Sequence, residues 1–471
     1  MAFIPLLLAI ELRGTGTLRR AALLGLVSGF VTHSGGYYWM IGMLEDFSGF
    51  PLWGCVLIAA LVFFYQGLQL SVVAMLWVVL RRWGWRAVWA TPVALVVVEW
   101  IYPLLFHSYF GNAVYRWTWF TQVADLGGPL LLSGYLALLH GAIYDALDAW
   151  RRGRSFPKLS FGVALTVVAF VLGYGVFRIR QIDERVAGAP ALRVGMVQAN
   201  LGLFEKRDNP WKGRDFHLEQ SLEMERKAKP DLLIWPESAY TFAIPETKTN
   251  LRRILTGDLR TPVLFGGIAR RYQSGDFRHF NTAYMVDGEG DVQATYDKVY
   301  LLPFGEYIPL GERFPQLYEV SPNTGRFVPG AHQTPLPFRG YRLATLICYE
   351  DIIPAFVREA VVAGDPHLLV NITNDAWFGD TSEPWQHLAL AQLRAVEHRR
   401  FLVRATNSGV SAVIDPAGRI LQTTEVFRRE NLVADVKLLS GSTPYHVVGD
   451  WPGPVSVMAC LWAFLKRRRK K

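Results

Sequence analysis

Hydrophobic positions are spread unevenly along this chain. They run in long blocks up to about residue 182, return near the C-terminus, and leave between them a stretch where polar and apolar residues alternate in the ordinary globular way. The blocks at 21–43, 52–80, 87–106, 123–147, 161–177 and 448–465 are each close to the ~20 apolar residues that carry a helix across a hydrocarbon core. The block at 52–80 is long enough to tilt or to include an interfacial turn. Segment 3–10 is apolar but too short to span.

The middle region reads differently. Short β-branched runs at 192–198, 231–235, 263–267, 282–286, 342–347, 367–372, 402–406 and 411–414 predict strands. Helical periodicity at 216–228, 353–363 and 386–400 predicts helices between them. Strands alternating with helices imply an α/β layered fold. The chain thus divides into a transmembrane helical domain at 1–182, a globular α/β domain at 189–444, and a last transmembrane helix with a basic tail at 448–471.

Composition sharpens the division. Of 471 residues 51% are hydrophobic and only 19% are charged, and the formal net charge is +9. That charge is not a nucleic-acid footprint, because the basic residues sit in clusters beside the apolar blocks: Arg19 and Arg20, Arg81, Arg82 and Arg86, Arg151, Arg152 and Arg154, and the run 466–471. Threading the six blocks in alternate directions puts every cluster on one face, the positive-inside signature. On this reading the chain is multi-pass, the globular domain is extracytoplasmic and the C-terminus is cytoplasmic. No basic n-region precedes 3–10, which argues against a cleaved signal peptide. The 3 cysteines give no disulfide framework, and Cys55 and Cys460 lie in apolar blocks as packing residues.

Three polar positions in the globular domain carry candidate chemistry. Cys348 ends the apolar run 342–348 and precedes a polar turn into the helix near Ile353. A helix N-terminus favours a thiolate, and a sharp turn exposes the sulfur; the competing reading is a buried structural cysteine. Glu237 follows Trp235 and Pro236 at the end of an apolar run. A carboxylate partly buried there gains proton affinity and suits a general base; it could equally be a loop acid. Lys298 is a lone cation among aromatic and apolar neighbours, fit to stabilise an oxyanion and to lower a nearby thiol pKa, or else a snorkelling surface lysine. No His-Glu-x-x-His spacing marks a metal site, and no metal or other cofactor is expected.

In the order Glu, Lys, Cys, each at the end of a strand-like run, these residues resemble the nitrilase superfamily. The resemblance includes Val-Gln-Ala-Asn at 197–200, Trp-Pro-Glu at 235–237, Asp-Lys at 297–298, Pro-Phe-Gly-Glu at 303–306, Cys-Tyr-Glu at 348–350 and Asn-Asp-Ala-Trp-Phe at 374–378. With membrane spans on both sides, the chain resembles the apolipoprotein N-acyltransferase family. That resemblance implies an α-β-β-α sandwich facing the periplasm on a polytopic α-helical domain in the inner membrane. It implies transfer of a fatty acyl chain from a phospholipid donor to the α-amino group of a diacylated apolipoprotein, the last step of lipoprotein maturation, through a thioester on Cys348. It implies that Glu237 is the base and that Lys298 and the Tyr349 N–H hold the oxyanion. Supporting roles would fall to Glu306 and Asn281 beside the acid-lysine pair, and to Tyr349 and Glu350 at the nucleophile turn. Trp211, Trp377 and Phe378 read either as loop gates for acyl chains or as ordinary packing. The family pattern has eight spans, so the first is expected to be missing from this chain. The alternative is a membrane-tethered amidase acting on a small carbon–nitrogen substrate, which would share the triad but not need the polytopic base. A transporter or scaffold with a degenerate domain would have no reason to keep all three residues.

Overall fold

The computed structural model describes residues 3–12, 16–202, 205, 209–273, 275–321 and 324–468, so the basic run at 466–471 ends outside the described residues. The chain forms two compact units. One comprises Met1–Tyr38, Val56–Gln181 and Thr443–Lys471, and the other Trp39–Cys55 and Ile182–Ser442.

The first unit is helical. Leu52–Arg82, Ala124–Arg151 and Lys158–Gly188 are long and apolar enough to cross a membrane, and Ala87–Ile101 is a shorter apolar helix. Pro452–Arg468 is the C-terminal helix and Phe3–Glu11 the first. The block at 52–80 forms one uninterrupted helix, without an interfacial turn. Two expected spans are cut short. The block 21–43 is not one helix: Leu18–Gly36 stops and Met40–Ser48 starts anew. Gly35 and Gly36 weaken helical propensity there, and the Tyr37 N–H closes the last turn on the His33 carbonyl at 2.8 Å. The block 87–106 leaves the helix at Ile101 because Tyr102, one residue ahead of Pro103, is extended.

Buried carboxylates tie the helices of this unit together. Asp145 accepts hydrogen bonds from the N–H groups of Ala87 and Val88, at 3.0 and 3.2 Å, and from the Ser160 hydroxyl at 2.7 Å. One side chain thus caps a neighbouring helix N-terminus and holds a third helix. Asp125 takes a bidentate pair from Arg178 and a hydrogen bond from Tyr174. Glu11 accepts from Tyr144 at 2.6 Å and pairs with Arg81 and Arg152.

The second unit stacks two sheets. In the first the order is β13-β1-β2-β4-β5-β6, with β3 also paired to β4; in the second it is β12-β11-β10-β9-β8-β7. The strands of the first are β1 Ala191–Gln198, β2 Leu232–Ile234, β3 Tyr240–Pro245, β4 Val263–Gln273, β5 Asp276–Val286 and β6 Val292–Asp297. Those of the second are β7 Leu336–Phe338, β8 Tyr341–Ile347, β9 Leu368–Thr373, β10 Leu402–Thr406, β11 Ala412–Ile414 and β12 Ile420–Thr423; β13, Glu430–Lys437, returns to the first. β1, β2 and β4 run parallel, as do β8, β9 and β10. Helix Pro210–Lys227 packs on the first sheet, and helices Pro354–Gly364 and Glu383–His398 on the second. The core faces of both sheets are buried aliphatic and aromatic residues, giving the expected α-β-β-α layering.

All eight expected strands are present. Those not anticipated are β3, β6, β7, β12 and β13. They are short, or, like β12 and β13, half-exposed and rich in polar residues, so they lack the apolar run that marks a buried strand.

Candidate active site

The polar residues at the ends of the central strands converge. β2 runs through Trp235 and Pro236 into Glu237. Trp235 is fully buried and donates its indole N–H to Ser221 at 2.8 Å. Gly266 on β4 lets the acid's backbone pass, since a Cβ there would lie 2.6 Å from the Glu237 Cα. β6 ends at Asp297, so Lys298 is the first residue beyond it, and its N–H is held by the Asn281 carbonyl at 2.8 Å. β8 ends at Ile347, and Cys348 opens a single 3-10 turn, Cys348–Ile352, before helix Pro354–Gly364.

Cys348 has a φ of +51°, a left-handed conformation that costs a side-chain-bearing residue about 1 kcal/mol or more. The surroundings hold it there. Asn371 donates to the carbonyls of both Leu346 and Cys348 at 3.2 Å. Glu350 accepts the Ile347 N–H at 2.8 Å. The other face of Glu350 takes the N–H groups of Val299 and Tyr300, at 2.7 and 3.1 Å, and the Tyr296 hydroxyl at 2.9 Å. Glu350 therefore staples the Cys348 turn to the segment carrying Lys298. Burial pushes its carboxyl up to about 7, against the pull of these donors and of Lys298.

Glu237, Asn281, Lys298 and Glu306 form one buried cluster. The Asn281 amide donates to Glu237 at 2.7 Å and to Glu306 at 2.6 Å. The Lys298 ammonium lies 2.7 Å from Glu306 and 3.4 Å from Glu237. The second oxygen of Glu237 accepts the Asn374 N–H at 3.0 Å, and that of Glu306 the Leu302 N–H at 2.8 Å. Lys298 is 1% exposed, so it is no snorkelling surface lysine. Burial alone would discharge it, but Glu237, Glu306 and Cys348 hold its pKa well above the usual lysine value.

The sulfur departs from expectation. Cys348 is 7% exposed. Burial and the Glu237 charge push its pKa well above the ordinary thiol value, outweighing Lys298 and a hydrogen bond from Thr373. The turn presents the sulfur to buried partners rather than to solvent, and the resting group is a thiol rather than a helix-stabilised thiolate. Glu237 and Lys298 both act on its ionisation, which places all three groups in one electrostatic neighbourhood.

Beneath the sulfur lies a network the sequence did not announce. Arg404 donates to Asp351 at 2.6 Å and to Asp375 at 3.3 Å. His387 bridges the same two acids at 2.8 and 3.2 Å, and Thr373 donates to Asp375 at 3.1 Å. His387, buried and next to Arg404, is nevertheless held up at about 10 by Asp351 and Asp375. Ligand-type atoms of Asp375, Glu383 and His387 fall within 4.8 Å of one another. Asp351 and Asp375 are, however, already paired with Arg404 and His387, and burial and Asp375 hold Glu383 well up toward its neutral form. The donor set is therefore filled by protein charges and fits a metal ion poorly. Its members come from four separate segments, so no local spacing betrays them; the Asn-Asp pair at 374–375 was the only visible part.

The aromatic residues are placed less centrally. Trp211 sits in the first turn of helix Pro210–Lys227, not in a loop, and packs on Phe242 with ring centroids 4.9 Å apart. Trp377 lies in a 3-10 turn, Asp375–Phe378. Phe378 is buried and meets Trp39 edge-on at 5.0 Å, so it packs rather than gates. Tyr349 is buried directly after Cys348.

Residues 193–443 match the carbon-nitrogen hydrolase family, and residues 1–142 match the apolipoprotein N-acyltransferase N-terminal domain. The apolipoprotein N-acyltransferase of Geobacter metallireducens is 32% identical over 463 residues, covering 96% of this chain and 87% of that one. That of Azotobacter vinelandii is 34% identical over 478 residues, covering 96% and 88%. The chain belongs to the apolipoprotein N-acyltransferase family. Solved structures similar to it include Saccharomyces cerevisiae Nit3, a nitrilase-superfamily member (TM-score 0.40, 17% identity, covering 52% of this chain and 90% of that one). An amidase from Nesterenkonia is another, with TM-score 0.37 and 23% identity, covering 52% and 90%.

Proposed function

We propose that this chain, a membrane protein, transfers a fatty acyl group from a phospholipid to the N-terminal α-amino group of a diacylglyceryl-cysteine apolipoprotein. The observation that carries the reading is a buried Glu-Lys-Cys cluster in a chain that also holds three membrane-length apolar helices. Family membership over nearly the whole chain supports it. The alignment of the basic clusters supports a topology with the catalytic unit on the periplasmic side of the inner membrane and the C-terminus in the cytoplasm.

The chemistry follows from the thiol's resting state. A buried thiol with a raised pKa is a poor nucleophile until its proton leaves. Glu237, held by Asn281 and the Asn374 N–H, takes that proton as the sulfur attacks the donor's ester carbonyl. Negative charge then develops on the carbonyl oxygen. Lys298, kept cationic by Glu306, and the Tyr349 N–H stabilise it without reorganisation. Collapse expels the lysophospholipid alkoxide, which recovers the proton from Glu237, and leaves a thioester on Cys348. The incoming amine attacks that thioester, Glu237 accepts its proton, and the released thiolate takes the proton back. Lysophospholipid leaves before the amine attacks, and Glu237 returns the proton it took in each half-reaction, so ping-pong kinetics follow.

Intact-mass measurement of the full chain after incubation with phospholipid tests the reading. An acyl adduct that maps to Cys348 and disappears when a diacylated lipopeptide is added is the expected result. No adduct, with turnover of a small amide instead, would replace it with the amidase.

A further inference from the structure

A cavity of about 760 Å³ begins one residue beyond Lys298, bounded by Val299, Tyr300, Tyr307, Tyr318 and Phe327 together with Arg278 on β5. Its walls are largely apolar, yet Arg278, Arg313 and Arg326 line it against a single acid, Glu312. Among the described residues none of the three arginines makes an ion pair. The Arg326 guanidinium lies over the Tyr318 ring, 4.4 Å from its centroid, which pre-orients it. The wall shares backbone with the catalytic cluster: the Phe327 N–H donates to the Glu306 carbonyl at 3.1 Å, and the Gly330 N–H to the Lys298 carbonyl at 2.8 Å. The same segment carries Tyr300, Phe304, Leu310 and Phe314, all exposed, and such an apolar cluster is costly in water.

We infer that this cavity is the phosphodiester subsite of the acyl donor, with Arg278 and Arg326 holding the phosphate and the exposed apolar residues resting in lipid. The inference rests on the acyl-transfer reading above and adds to it the group by which the donor is recognised. A guanidinium matches a phosphate oxygen pair in charge and geometry. An uncharged acyl donor has nothing for it to grip. A neutral or cationic small amide would leave three unpaired guanidinium groups facing it.

The test compares two donors on the full chain: phosphatidylglycerol and an uncharged p-nitrophenyl fatty ester, with acyl-enzyme formation on Cys348 as the readout. For Arg278→Gln combined with Arg326→Gln, the ratio of kcat/KM for phospholipid over ester should fall about tenfold or more, through KM rather than kcat, because charge-assisted hydrogen bonds of this kind account for at least one decade in binding. Arg326→Lys should recover part of that ratio. Acylation of the variants by the ester also reports that they fold. An unchanged ratio, or equal losses on both donors, overturns the subsite while leaving the transferase reading intact. A wild-type chain acylated by the ester but never by phospholipid overturns the donor reading itself. Inorganic phosphate that competes as well as glycerophosphoglycerol would make the cavity a general anion site and overturn the lipid assignment.

Discussion

The helical unit and the globular unit bury their charges for opposite purposes. In the helical unit large apolar side chains such as Leu57, Leu61, Leu165 and Phe170 face outward, and the interior holds Asp125, Asp145 and Glu11, each saturated by donors from other helices. In the globular unit most large aliphatic residues face inward, and one group of interior charges gathers around a single sulfur. Asp125, Asp145 and Glu11 work as fasteners, each accepting donors from neighbouring helices. The acids around Cys348 are fastened as well, with both oxygens of Glu237, Glu306 and Glu350 accepting hydrogen bonds. Glu237 is fixed by Asn281 and Asn374, yet its environment still reaches the thiol. A buried carboxylate is thus structural or chemical according to whether its partners leave a proton acceptor facing a reacting group.

The largest effect that can break this comparison falls on the sulfur. Cys348→Ala and Cys348→Ser should abolish the acyl adduct and lower acyl transfer by about 10³-fold or more, with the protein still inserting in membranes. Mass spectrometry and a lipopeptide acylation assay read both results; full activity in either variant removes the nucleophile.

Glu237→Gln is the next. It keeps the Asn281 contact in shape but removes the base, so acylation should slow by about 10²- to 10⁴-fold. The pH dependence carries the sharper information. Burial and Glu237 raise the thiol pKa, so in the wild type alkylation of Cys348 should rise only at pH values above those of an ordinary cysteine. Removing the Glu237 charge takes away a force that raises the pKa, and the alkylation profile of Glu237→Gln should move to lower pH even as catalysis falls. A profile that does not move would separate Glu237 from the sulfur. Thiol alkylation as a function of pH measures it directly.

What could be read in advance follows the same divide. Glu237 and Cys348 were visible because each ends an apolar strand, and a polar side chain there has nowhere to go but the sheet edge where other strands end; Lys298 stood out instead as a lone cation among aromatic and apolar neighbours, because the strand before it, β6, has no apolar run. The network below them was invisible because Asp351, Asp375, His387 and Arg404 look, one by one, like ordinary helix or strand charges; only β8, β9 and β10 lying side by side bring them together. The thiol's ionisation was misjudged for a related reason. A turn at a helix start suggests a thiolate, but desolvation depends on what covers the turn, and that comes from distant segments. In the helical unit apolar length located the helices but not their ends at Gly36 and Ile101, where glycine and a following proline act locally.

That hidden network gives a stability test. Arg404→Met leaves Asp351 and Asp375 buried with one cation in place of two. Breaking a buried pair in this way costs about 3–5 kcal/mol, which denaturation of the full chain should show as a clear loss. The remaining His387 makes the loss depend on pH. Its pKa is raised above the ordinary value of 6.5 to about 10, so its contribution is complete below about pH 6.5 and disappears as pH rises through 10. Wild-type stability should therefore decline over that window by more than His387→Gln does.

The smallest effect lies in the helical unit and sharpens the contrast from the other side. Asp145→Ala strips the cap from the Ala87 and Val88 N–H groups and frees the Ser160 hydroxyl. Loss of such a cap costs about 1 kcal/mol, up to about 2 where the freed groups stay buried. Asp145→Asn keeps one acceptor oxygen and should recover roughly half. Neither change touches the sulfur's surroundings, so stability in detergent should fall while the pH profile of Cys348 alkylation stays in place. If Asp145→Ala shifted that profile, fastening and chemistry would not be separable between the two units, and the division of labour drawn from their buried carboxylates would fail.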